Sequence, residues 1–275
     1  MANTAETAGK ETAGQTSADR PAKRVVLLGA SNLAKALSTV IDTSRLIWGS
    51  PIDVLAALGH GRSYGLSSTI VGRTLPGISV CGLWKALDAR PPSPLAALLT
   101  DIGNDLLYEA PVEQIAGWVE QCLDRLLSHN ARIVMTLLPV ENIIALSQWR
   151  FYIARTVLFP NSRLQLKVIA ERALELNDRV RQLGTARNVY LAEHQTAWYG
   201  FDPIHIRMRH WSSAWPTILA SWMEANTSPA VPRRSLSRWL YLRSRMPERV
   251  KVFGIPLSGA QPAGRLPDGT TVSLY

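Results

Sequence analysis

Cysteine is scarce, long apolar runs are missing, and acids are outnumbered. Two cysteines in 275 residues, Cys81 and Cys122, are too few for a disulfide framework and cannot build a Cys-rich zinc site; buried free thiols are the expectation. No apolar run approaches the roughly 18 residues that a membrane span needs. The first 22 residues, MANTAETAGKETAGQTSADRPA, are polar, of low complexity, and without the apolar centre of a secretory signal. They read as a disordered leader (1–22), and the chain as cytoplasmic. No G-x-G-x-x-G follows the first strand and no G-K-[ST] occurs there, which excludes the common phosphate-binding loops. No nucleic-acid motif is present either, and no nucleic-acid partner is expected.

What is there is a soluble, globular composition. The hydrophobic share is 47% and the mean hydropathy +0.02, enough for a substantial core. The net charge of +9 is uneven: from Asn226 onward there are eight Arg or Lys against two acids. This segment, 227–275, reads as a basic extension. It could contact an anionic surface or fold back on the body as a solvated tail.

Hydrophobic patterning gives an alternation of strands and helices. Lys23 to Gly29, Ile52 to Leu58, Leu95 to Thr100, Arg132 to Leu138 and Asn188 to Ala192 read as strands. Leu33 to Trp48, a segment after GHGRSYG through Ile70, Val112 to Ser128, Asn142 to Phe159, Arg163 to Leu183 and Trp211 to Glu224 read as helices. Such alternation argues a parallel sheet covered on both faces, an α/β domain over residues 23–226. A small hairpin is expected around Asp268-Gly269.

Three strand ends carry polar loops that a parallel sheet would bring side by side. The first holds Gly29-Ala30-Ser31-Asn32. The third holds Gly103-Asn104-Asp105. The last follows the fifth strand and holds Asp202-Pro203-Ile204-His205. Together they offer a hydroxyl, an imidazole, a carboxylate and an amide. Those are the parts of acyl transfer. Ser31 needs a base as it attacks a carbonyl, and an imidazole, which titrates near neutrality, can be that base. Asp202 can orient His205 and stabilise its charged form. The Ser31 N–H, the Asn104 amide and a loop glycine N–H could receive the oxyanion. One such donor is worth ~3 kcal/mol in the transition state.

These blocks resemble those of the SGNH hydrolases, the GDSL esterase/lipase superfamily, over roughly Lys23 to Ala225. GASNL resembles the nucleophile block, GND the G-x-N-D block, and DPIH the terminal D-x-x-H block. The resemblance implies a flavodoxin-like, three-layer α/β/α sandwich with a five-stranded parallel sheet. It implies Ser31, Asp202 and His205 as a catalytic triad, with Ser31, Gly61 and Asn104 forming the oxyanion hole. It implies a small-molecule, lipid or sugar ester as substrate, and no metal or organic cofactor. Gly61 is the best match to the family's glycine block. Ala30 stands where the family usually has aspartate, and Asn32 could cap the helix in its place.

Other readings compete. Gly61-Arg62-Ser63-Tyr64-Gly65 fits the nucleophile elbow G-x-S-x-G, which would make Ser63 the nucleophile; but only one βα unit precedes it, and Asn104 would have no role. Ser31 or Asn32 could be a plain helix cap. His60, His129, His194 and His210 are weaker bases than His205 by position, with His210 the nearest substitute. The same acyl-enzyme could serve an acyltransferase, and the basic extension could belong to a non-catalytic lipid- or anion-binding protein. Arg62, Arg207 and Arg209 could favour an anionic substrate. Trp149, Phe151, Tyr152 and Phe159 could wall an acyl pocket or pack the core.

Overall fold

Strands buried on both faces need apolar residues on both faces, and the runs VVLL and LAALL supply them. In the computed structural model, residues 23–147, 165–223, 231–232 and 235–275 are described. The elements run β1 (Lys23–Leu28), α1 (Ser31–Trp48), β2 (Ile52–Ala57), β3 (Ser68–Ile70), β4 (Arg73–Leu75), α2 (Leu83–Asp88), β5 (Leu95–Leu99), α3 (Val112–Ser128), β6 (Arg132–Thr136), α4 (Val140–Ile144) and α5 (Leu166–Ala186). They continue with β7 (Tyr190–Ala192), α6 (Trp211–Ile218), α7 (Leu236–Arg243), β8 (Arg249–Val252), β9 (Ile255–Ser258), β10 (Gly264–Arg265) and β11 (Thr271–Leu274).

The main sheet has the order β10-β11-β2-β1-β5-β6-β7, and every neighbouring pair is parallel except β10 with β11. Alternate side chains separate two cores. Val26, Leu28, Leu99 and Met135 pack on one face with Val119 of α3 and Leu176 of α5. Val25, Leu27, Leu98 and Val134 pack on the other with Leu33 and Val40 of α1 and Trp215 of α6. Each large side chain so buried contributes on the order of 1.5–3 kcal/mol. The result is the expected three-layer α/β/α sandwich.

The five expected parallel strands are present, but the sheet has seven strands, not five. The hairpin around Asp268-Gly269 forms as β10 and β11, and β11 then lies parallel to β2, with the Tyr275 N–H donating to Ala56 O at 2.9 Å. It covers what would otherwise be an open edge of unpaired backbone groups. The basic extension is therefore built into the body: α7 packs on α1, its Trp239 Nε1 donating to Lys35 O at 3.1 Å, and Leu242 is buried in the α1-side core.

The segment after GHGRSYG is a strand hairpin, not a helix. Val71 (φ 49°) and Gly72 (φ 74°) both take left-handed conformations, the geometry of a tight two-residue hairpin turn. β4 also pairs with β8, giving a small antiparallel sheet β3-β4-β8-β9. The short helix α2 was not expected. Of the helix read over Asn142 to Phe159, only α4, Val140–Ile144, is described and it ends at Ile144; the stretch with Trp149, Phe151, Tyr152 and Phe159 lies outside the described residues, as does the leader. The closing helix ends at Ile218 and is followed by one 3-10 turn, Ala220–Trp222. Among the described residues no helix is long and apolar enough to cross a membrane.

Candidate active site

Because β1 lies between β2 and β5, the loops that follow these three strands meet at one edge of the sheet. At that edge α1 starts on Ser31. A helix start leaves several N–H groups without intrahelical acceptors. Here the carboxylate that takes them comes from the neighbouring strand. Asp101 Oδ2 accepts from the N–H of Ala30 (2.8 Å), Asn32 (3.1 Å) and Leu33 (3.3 Å). Asp101, itself at φ 60°, thus supplies across the sheet the carboxylate that position 30 lacks.

This corrects the capping role expected of Asn32, whose side chain makes no cap bond. Its Nδ2 donates to Asp101 Oδ1 and to Ile204 O, both at 2.8 Å, and its Oδ1 accepts from the Ile206 N–H at 2.8 Å. Asn32 therefore ties the DPIHI loop to the β1–α1 turn. That loop carries the imidazole. His205 Nε2 lies 2.7 Å from Ser31 Oγ, and His205 Nδ1 lies 2.5 Å from Asp202 Oδ2. The other Asp202 oxygen accepts from the N–H groups of Ile204 (3.1 Å) and His205 (3.2 Å), which fixes the carboxylate to its own turn. Burial works to raise the Asp202 pKa, but the hydrogen bond and charge of His205 outweigh it, and the net shift is downward. Asp202 stays ionised beside the imidazole at neutral pH.

Ser31 is half-buried, and it lines a small cavity of about 80 Å³ with Asn104, His194 and an apolar wall that includes Leu107, Leu137, Leu138 and Ile143. Asn104 Nδ2 donates to Arg62 O at 3.1 Å, which sets the plane of its amide and leaves a second N–H. As the first helical residue, Ser31 has a backbone N–H with no intrahelical acceptor. Gly61 does not line this cavity. It sits on the β2 loop at φ 61°, where its carbonyl accepts from Tyr108 Oη at 2.6 Å. An added Cβ there would also meet Ile70 Cγ1 at 2.6 Å, so the position is a glycine position on two counts.

The rival nucleophile is placed elsewhere. Ser63 is fully buried; its Oγ donates to Asp105 Oδ1 and accepts from the N–H of Gly65 (3.1 Å) and Leu66 (2.7 Å). No imidazole touches it. Arg62 is also fully buried, donating to the backbone oxygens of Leu58, Pro76 and Tyr275, so it cannot reach a substrate. His129 pairs with Asp88 at 2.9 Å, His210 lies 3.0 Å from Arg209 Nε, and His194 Nδ1 lies 2.7 Å from Tyr199 Oη. Burial holds the His194 pKa down to about 4, so it is neutral at physiological pH. Both cysteines are buried, and burial raises both thiol pKa values. Among the described residues no cluster of three or more His, Cys, Asp or Glu is placed to hold a metal ion.

Sequence reasoning missed Asp101. Its only sign was an acid opening the DIGND loop, and its partners lie 68 to 71 residues away.

The fold is a three-layer α/β/α sandwich, and the loops that hold Ser31, Asn104 and His205 gather at one edge of its sheet. No family model and no curated protein matches the chain. Solved structures do match in fold. One, described only as a crystal structure, aligns with a TM-score of 0.50 and 13% identity over 72% of this chain and 96% of its own. A carbohydrate acetylesterase family member from Sinorhizobium meliloti gives a TM-score of 0.49 and 16% identity, covering 72% of this chain and 95% of that one. The acetyl xylan esterase AlAXEase gives 0.48 and 10%, covering 72% and 98%. At such identities the likeness concerns the fold alone.

Proposed function

We propose that the protein is a serine esterase of the SGNH type, acting on short acyl esters. The observation that carries this reading is the unbroken hydrogen-bonded chain from Ser31 Oγ through His205 to Asp202, at 2.7 and 2.5 Å. In this mechanism Ser31 attacks the ester carbonyl while His205 Nε2 takes its proton. Asp202 holds the ring in the tautomer that leaves Nε2 free and stabilises the imidazolium that forms. The oxyanion is received by the Ser31 N–H and the Asn104 amide, both at the cavity that Ser31 lines. His205 then protonates the leaving alcohol, and water, activated by the same imidazole, releases the acyl group. The small apolar cavity beside Ser31 takes the acyl chain, and its volume limits chain length.

The test is hydrolysis of 4-nitrophenyl acetate, butyrate and octanoate. The expected result is turnover of acetate with octanoate slower by roughly tenfold or more, the scale on which a bounded pocket discriminates. Equal rates for all three would remove the acyl role of the cavity. Full activity in Ser31→Ala would remove the mechanism.

A further inference from the structure

A larger pocket, of about 380 Å³, begins on α1 at Ala34, three residues beyond Ser31. The sheet order explains its place. The loops after β5 and β6 make the acyl side, whereas the β2 loop, the β3–β4 hairpin and α7 stand on the opposite side of β1. The pocket follows α1 away from the nucleophile, through Ala34, Leu37 and Ser38, the first of these one turn beyond Ser31. Its floor is apolar. Its polar lining holds three cations, Arg73 from β4 and Arg243 and Arg245 from the C-terminal segment, beside the uncharged Ser38, Ser68 and His60. No Asp or Glu lines it, and among the described residues no carboxylate lies within ion-pairing distance of Arg73, Arg243 or Arg245.

Two of the arginines, Arg243 and Arg245, are held in place. The Arg243 guanidinium lies 4.9 Å over the Trp239 ring, and that indole is itself tied to Lys35 O on α1. Arg245 lies 4.3 Å from the Tyr241 ring centre and donates from Nε to Tyr241 O at 3.1 Å. Stacking leaves the outward N–H groups of a guanidinium free to donate. His60 is held below its ordinary pKa first by desolvation and then by the charges of Lys35, Arg243 and Arg73, so it is uncharged at neutral pH. Lys35, next along α1, feels both Asp202 and Asp101. Like charges gathered without acids cost free energy unless an anion joins them.

We propose that this pocket binds an anionic group on the alcohol side of the ester, best matched by a dianionic phosphate. The substrate is then an ester whose short acyl chain enters the small cavity and whose alcohol carries the phosphate between Arg73, Arg243 and Arg245. The proposal rests on the esterase reading, and it gives the C-terminal segment a function in specificity. Arg forks suit phosphate oxygens.

The experiment has a kinetic and a binding arm. The kinetic arm compares kcat/KM for 4-acetoxyphenyl phosphate and for neutral phenyl acetate in the full chain. The expected preference for the phosphate ester is tenfold or more at low salt, declining as salt rises. That ratio falls about tenfold in Arg73→Gln and in Arg243→Gln, mainly through KM, on the scale of a lost charge-assisted contact. In the binding arm, calorimetry with phenyl phosphate and the Ser31→Ala protein shows binding that weakens when either arginine is also replaced. Hydrolysis of phenyl acetate without preference for the phosphate ester, or a ratio indifferent to both substitutions, overturns the proposal and leaves the esterase reading intact. Absence of phenyl phosphate binding also overturns it. Hydrolysis of neither ester overturns the esterase reading and, with it, the substrate assigned to this pocket.

Discussion

Two serines sit on adjacent strand-end loops and have opposite surroundings. Ser31 is half-buried, with an imidazole nitrogen at 2.7 Å from its hydroxyl. Ser63 is fully buried, with its hydroxyl spent on the Asp105 carboxylate and two backbone N–H groups. By local pattern both are conspicuous, since Ser63 fits G-x-S-x-G and Ser31 lies in GASNL. A nucleophile is made by what faces its oxygen. A carboxylate that accepts the serine proton without an imidazole, in a site closed to water, gives a structural hydrogen bond. An imidazole backed by a second carboxylate, at an open edge, gives a proton path.

The comparison breaks most sharply under substitution. Ser31→Ala should lower kcat for ester hydrolysis by on the order of 10⁴-fold or more, with unchanged thermal unfolding. Ser63→Ala should retain turnover but lose roughly 1–3 kcal/mol of stability, because Asp105 is left short of a buried partner. Activity assays and denaturant unfolding of the two variants read this directly. If Ser63→Ala were the inactive one, the assignment of roles would be reversed.

In the proposed mechanism Asn104 belongs to the reactive half, whereas Asp105, its chain neighbour, is tied to Ser63 and the Tyr64 N–H. Asn104→Ala should cost about 10²–10³ in kcat with little change in KM, as expected for an oxyanion donor. Asp105 should act on stability instead. Burial raises its pKa to about 6, against the hydrogen bonds from Ser63 and the Tyr64 N–H that lower it. The folded state therefore binds a proton more tightly than the unfolded chain does. Stability from this group is fully present below about pH 4 and is lost as pH rises through about 6. Unfolding free energies measured across that window should fall more steeply in wild type than in Asp105→Asn. Equal slopes would contradict the burial account.

The smallest expected effect tests the link between strands. Asp101→Ala removes the acceptor for three N–H groups around Ser31 and one partner of Asn32. The cost should be about 0.5–2 kcal/mol, as for a lost helix cap. Because Asn32 also holds the His205 loop, kcat should fall more than unfolding predicts. A loss of stability without loss of kcat would separate the turn from the chemistry.

Much of this was legible in the sequence, and the rest fails for a common reason. β1, β5, β6 and α3 follow from local periodicity, and α3 matches its expected bounds. The three loops with chemistry follow from the order of strands, since a parallel sheet gathers its strand ends. What escaped depends on distant partners. β3 and β4 are three residues each, too short for a periodic signal, and β4 pairs with β8 some 178 residues later. β11 joins β2 across 218 residues, so nothing near Thr271 announces a core strand. The Asp101 carboxylate replaces an absent Asp at position 30 from another strand. The basic extension looked like a tail because its charge is local information. Its packing on α1 through Trp239 and Leu242 is not.

The central claim is that Ser31 is the activated hydroxyl. The most direct measurement is covalent capture: incubation of the folded protein with a serine-directed fluorophosphonate, then digestion and mass spectrometry of the peptides that hold Ser31 and Ser63. The account predicts one adduct, on Ser31, abolished by His205→Ala and by prior unfolding. An adduct on Ser63, or an unlabelled Ser31 in the folded protein, would contradict it.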